Sequence, residues 1–103
     1  MAIAIDRYIE ISPEMRGGRP HIADTRLTVA DVVVMYLRLG QSLEEIAGKY
    51  ALPLAAVYAA MAYYYDHQAE IDSSITADRE FAEAFRNNNP SLLRSKLQAL
   101  KHD

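Results

Sequence analysis

Three arginines, Arg16, Arg19 and Arg26, crowd into "EMRGGRPHIADTRLTV", residues 14–29, with two adjacent glycines and a proline. Guanidinium groups on a glycine-rich loop suit phosphate recognition, because their planar forks match phosphate and carboxylate oxygens. "RGGRP" is not a phosphate-binding P-loop, since the Gly-Lys-Ser/Thr ending is missing. Arg16 and Arg19 lie among the glycines, where an arm reaching DNA backbone phosphates or a minor groove is expected. Arg26 has a structural alternative, with its fork closing on carbonyls or on a carboxylate such as Asp31 or Glu45. With Tyr58, these three arginines form the candidate DNA-binding set.

Catalytic chemistry is not expected. His21, His67 and His102 are far apart and show no metal-ligand spacing. His21 is expected to belong to a hairpin and His67 to cap a helix end. No serine sits in a Gly-x-Ser-x-Gly context, and the adjacent Glu44 and Glu45 point to different faces of a helix. The chain therefore reads as a non-enzyme without metal or cofactor. It has no cysteine, which favours a reducing, cytoplasmic setting. No run approaches the roughly 18 apolar residues of a membrane span. The net charge of −3 argues against coating nucleic acid by bulk electrostatics. Residues 41–75 hold Lys49 against five acids, whereas residues 87–103 hold Arg94, Lys96 and Lys101 against Asp103. An acidic middle with a basic end suits an acidic partner, although by charge alone a solvated tail is the simpler reading.

The elements that must position these residues follow from period and caps. "YIEIS" alternates, with Ile9 and Ile11 on one side, and "HIADTRLTV" returns with Ile22 and Leu27 inward, giving a small N-terminal β-hairpin. Thr28 and Asp31 start a first helix, which stops at Gly40. Ser42 and Glu45 form a capping box for a short second helix. Ala51-Leu52 turns the chain, and Pro53 opens a third helix running to Ile71. Two amphipathic helices are expected after Ser73. One is capped by Thr76 and carries Phe81 and Phe85. The other, after Pro90, carries a leucine stripe.

The second and third helices read as a helix-turn-helix, with Ala47 at the crossing, Leu52 after the turn and Val57 as anchor. Ala51 stands where the turn often requires a left-handed glycine. The third helix is a poor base reader. Only Tyr58 near its start carries a polar group, and no arginine or lysine occurs between Ala51 and Asp78. Leu54, Val57, Tyr58, Met61 and Tyr65 can face the core, which leaves alanines with Tyr63 and Tyr64 for a second chain or for half-exposed positions. The expected organisation is a hairpin plus helix-turn-helix domain over residues 1–75 and a helical partner-binding extension over 76–103. The fold class is mostly α, a small β-hairpin followed by a helix-turn-helix domain and a helical tail.

The segment Gly18-Arg19-Pro20-His21-Ile22-Ala23-Asp24-Thr25-Arg26-Leu27-Thr28-Val29, followed by Gly40-Gln41-Ser42-Leu43-Glu44-Glu45-Ile46 and by Tyr50, Leu52 and Val57, resembles the domain-of-unknown-function 433 family over about residues 8–72. Asp24 stands at that family's usual glycine, Arg19 at a common lysine and His21 at a usually apolar position. The resemblance implies a homeodomain-like or winged-helix-like three-helix fold and the role of a VapB-like antitoxin of a type II toxin–antitoxin pair. Such a protein silences a cognate PIN-like nuclease toxin and, as a homodimer, represses the shared operon by binding operator DNA. A PIN-type nuclease gathers carboxylates around a metal, and a basic amphipathic segment can dock its leucines there and bring an arginine to those carboxylates. Here Phe81, Phe85, Leu92, Leu93, Arg94, Lys96, Leu97 and Leu100 form the expected partner-binding set. The alternative is a stand-alone helix-turn-helix transcriptional regulator.

Overall fold

A computed structural model describes Ile3–Ala4 and residues 7–88. The expected partner-binding residues Leu92, Leu93, Arg94, Lys96, Leu97 and Leu100, and the helix expected after Pro90, lie outside the described residues. The chain forms two compact units that divide between Asp72 and Ser73.

The first unit opens with a three-stranded antiparallel sheet of order β1-β2-β3: β1 (Ile3–Ala4), β2 (Ile9–Ile11) and β3 (His21–Ile22). The expected hairpin is present, widened by an extra strand from the first residues. Ile3 faces Ile11 and Ile9 faces Ile22 across the two pairings. The side-chain alternation expected in β2 holds only at its start. Ile9 is fully buried, but Ile11 is half-buried and Ser12 takes the inward place. After β3 the chain folds back at once. The Ile22 N–H donates to the Leu27 carbonyl, the Val29 N–H donates to the Pro20 carbonyl, and His21 bridges to Thr28. Ile22 and Leu27 are buried as expected.

Thr28 caps α1 (Val29–Val33) through a full capping box, its hydroxyl accepting from Asp31 N–H while the Asp31 carboxylate accepts from Thr28 N–H. The first helix then departs from the expected regular course. Val34–Arg38 forms a π-helical turn, with the Leu39 N–H reaching back to the Val34 carbonyl. Gly40 ends it at φ 74°. Ser42 and Glu45 cap α2 (Leu43–Lys49) with a second capping box. A Schellman motif closes α2: Leu52 N–H donates to the Ala47 carbonyl and Ala51 N–H to the Gly48 carbonyl, with Ala51 left-handed at φ 54°.

The third helix, α3 (Leu54–Asp66), has Pro53 as its N-cap and ends earlier than expected. His67 stops it: its backbone N–H and its ring Nδ1–H both donate to the Tyr63 carbonyl at 3.0 Å, and its ring stacks on Tyr63 at 4.0 Å. The fourth helix, α4 (Gln68–Asn88), begins immediately and runs through Thr76, so the expected start at Thr76 is replaced by one at Gln68. The Ser-Ser-Ile-Thr stretch looks like a break because hydroxyl side chains compete for backbone groups. Ile71 and Ile75, one turn apart and both buried, keep it helical.

The core of the first unit gathers Ile9 and Ile22 from the sheet, Val29, Val32 and Val33 from α1, Ile46 from α2, and Val57, Ala60 and Met61 from α3. The helix α1 packs mainly on α3, and α2 packs on the same helix. In the second unit, every described residue from Ala77 to Asn88 is exposed.

Candidate functional site

The arginine-rich segment is a fastener between the sheet and α1. Arg16 Nη1 donates to the Arg26 carbonyl at 3.1 Å and to Asp31 Oδ2 at 3.2 Å. The same Oδ2 accepts the Thr28 N–H, so one carboxylate serves both the cap and the clamp. The carboxylate clamp expected of Arg26 is thus made by Arg16. Arg26 is exposed and contributes its carbonyl, and Arg16 is the clamp. Thr25 pins the intervening turn, its Oγ1 donating to the Ile22 carbonyl and accepting from Leu27 N–H. Asp24, just before it, sits at φ 62°. A residue in that left-handed region is strained unless it is glycine, and aspartate is among the better-tolerated exceptions.

His21 is 1% exposed, inside the sheet as expected. Its Nδ1–H donates to the Arg19 carbonyl at 3.2 Å and its Nε2 lies 3.6 Å from Glu10 Oε2. Among the described residues no group of three His, Asp or Glu side chains is placed to hold a metal. Nor is any helix long and apolar enough to cross a membrane.

The face that α3 turns inward differs from the expected one. Ala56, Val57, Ala60, Met61, Tyr63 and Tyr64 are buried, while Leu54, Tyr58 and Tyr65 are exposed. Tyr64 takes the inner face with a partner in reach of its hydroxyl. Tyr64 donates to Asp72 Oδ1 at 2.8 Å. Burial, then that bond and charge, push the Tyr64 phenol above its ordinary value. Burial, aided by Glu70, does the same for Tyr63. At α2 the Ser42 backbone and hydroxyl bonds hold the fully exposed Glu45 carboxyl below its usual value.

Arg16 and Arg26 line one cleft with Tyr50, and Tyr58 is not among its walls. The structure therefore brings two of the four candidate DNA-binding residues together and leaves Tyr58, 51% exposed, on the outward stripe of α3. Phe81 and Phe85, one turn apart on α4, are 74% and 49% exposed. Tyr50 is the surface residue that sequence reasoning used only as a point of resemblance. Its ring walls the cleft, its hydroxyl reaches Met35 Sδ at 3.6 Å, and Lys49 Nζ lies 5.4 Å from its ring centre. Its sequence signal is slight: an aromatic residue on the last turn of a short helix, next to a left-handed residue.

These elements define a mostly helical protein in which an antiparallel sheet is fastened to the first of two box-capped helices, with two more helices following. The chain belongs to the family described as "Protein of unknown function (DUF433)", whose model matches residues 9–64, from β2 into α3. It is similar to a DUF433 member protein from Anabaena variabilis ATCC 29413, known from a crystal structure, with a TM-score of 0.59 and 32% identity over 66% of this chain and 67% of that one. No curated protein matches the chain.

Proposed function

We propose that this protein is a VapB-like antitoxin that binds and silences a PIN-like nuclease through residues 76–103, and that as a homodimer it represses the operon it shares with that nuclease. The observation that carries the reading is the exposed run Ala77–Asn88, with Phe81 and Phe85 aligned at i and i+4 on a helix. Aromatic side chains exposed at that spacing fit a helix that docks into a partner's groove. The leucines and cations that follow in sequence supply the apolar and basic groups a carboxylate-rich nuclease site would accept. The protein has no catalytic role in this reading, and it acts in the cytoplasm.

Co-expression with the neighbouring nuclease tests it. The intact chain should restore growth and co-purify with the nuclease, and Phe81→Ala/Phe85→Ala should lose both. Undiminished rescue and co-purification by that variant, and by one with Arg94, Lys96 and Lys101 also changed to alanine, would overturn the reading.

A second reading, a helix-turn-helix regulator acting without a toxin, draws support from the left-handed Ala51 turn between α2 and α3. The outward face of α3 weighs against direct base reading, since Leu54, Tyr58 and Tyr65 bring no cation. A gel shift on the DNA upstream of the operon, with Arg26→Ala and Tyr58→Ala, distinguishes the two. Specific binding lost in these variants, together with failure of growth rescue by the intact chain, would favour the regulator.

A further inference from the structure

Three concavities of about 490, 360 and 460 Å³ lie side by side on the first unit. All three have Tyr50 as a wall. The first and second share Thr25, and the second and third share Leu27 and Asp31, so together they make one trough that passes around the Tyr50 ring. One end is floored by Ile22, Leu52, Pro53 and Ala56, and the other by Val34, Met35 and Leu39. Arg7, Arg26 and Lys49 stand along it, while Arg16 is already bonded to Asp31, leaving Asp24 as the further acid. A positive trough on a chain of net charge −3 is a local reversal of sign.

Strain gathers in the same place. Among the described residues, Arg16, Asp24 and Ala51 are the non-glycine residues with positive φ, at 50°, 62° and 54°. All three line the trough. Left-handed residues other than glycine are strained, and such residues cluster at ligand-binding surfaces.

We propose that the trough around Tyr50 binds an extended acidic peptide segment with interspersed apolar side chains. Its apolar floors receive the apolar side chains, and Arg7, Arg26 and Lys49 meet the carboxylates between them. An extended segment presents such groups alternately. A single-stranded nucleic acid fits less well. Such strands are held by stacking bases on aromatic faces. Here Arg7 and Lys49 already lie 5.4 Å from the ring centres of Tyr8 and Tyr50. The site uses none of the residues assigned to nuclease binding, so it stands independently of the antitoxin reading.

Panning a random twelve-residue peptide display library against the full chain tests this directly. Enriched peptides should carry aspartate or glutamate among leucine, isoleucine or phenylalanine. A synthetic member should lose affinity at least about tenfold against Arg26→Glu/Lys49→Glu, in line with reversal of two contacting charges. Both side chains are exposed, so the variant should keep its melting temperature. No enrichment, enrichment of neutral or basic peptides, or equal binding to the variant overturns the proposal. Binding of a fluorescent oligothymidylate that is lost in the same variant overturns it in favour of nucleic acid. Growth rescue by this variant is scored separately, so failure of the trough and failure of the antitoxin reading give different results.

Discussion

Ala51 holds a backbone angle that glycine would hold with less strain, in a turn where both hydrogen bonds of the Schellman motif depend on it. Ala51→Gly should therefore raise stability by about 1 kcal/mol, read as a higher urea midpoint with an unchanged slope. An unchanged or lower midpoint would mean that the turn relaxes by another route. Thr28 acts in the opposite sense. Its hydroxyl is buried and caps α1, so Thr28→Ala should cost about 1–2 kcal/mol in the same assay. Both positions were legible in the sequence, because a cap and a left-handed turn are local events with local signatures. The clamp was not. Arg26 lies five residues from Asp31 in the chain and Arg16 fifteen, and it is Arg16 that reaches the carboxylate. The tight return at Pro20–Val29 brings the distant arginine close, and side-chain spacing along the chain carries no trace of that.

At the scale of elements, the starts of α1 and α2 were legible for the same local reason, and so was His67 as a helix cap, but the end of α3 at Asp66 was not. A run of apolar residues and tyrosines reads as one helix. The stop is set by His67, whose ring and backbone compete for the same carbonyl. The inward face of α3 also escaped the sequence, since a helix apolar on nearly every side leaves its orientation to the packing of α1. That orientation has a consequence for pH. The Tyr64 phenol is buried and bonded to Asp72, and its pKa is raised from 10.0. Folding thus favours the neutral phenol. The stability this contributes is complete below the unfolded pKa and falls as pH rises through the higher folded one. Tyr64→Phe should lose about 1 kcal/mol near pH 8 and show a shallower decline toward about pH 11. Tyr63, shifted in the same direction, keeps part of the alkaline slope in that variant. Denaturant midpoints across this range decide the matter, and parallel curves for the two proteins would remove Tyr64 as a source of the slope.

At the scale of the molecule, the two units respond differently to substitution. Phe81→Ala/Phe85→Ala truncates side chains that are 74% and 49% exposed, so melting temperature should stay within the equivalent of about 0.5 kcal/mol while the proposed nuclease binding is lost. A large fall in melting temperature would show that these rings support the fold. The match to the DUF433 family ends at residue 64, before α4 begins. The matched part holds β2, β3, the fastener, α1, α2 and most of α3, and the exposed residues of α4 lie beyond it.

The π-helical turn at Val34–Arg38 gives the first helix one residue more than a regular helix would use to cover the same rise. The chain between the Thr28 cap and the Gly40 exit therefore has slack in its length. Removing Leu37, which is half exposed, should convert the turn to ordinary helix and keep Met35 inside and Gly40 at the exit. The same deletion in the middle of α3 would rotate every later core residue off its face. Thermal unfolding of the two deletion proteins should separate them clearly. Natural variation in length within this domain is then expected at the π turn, where one residue can be gained or lost without changing what the helix buries.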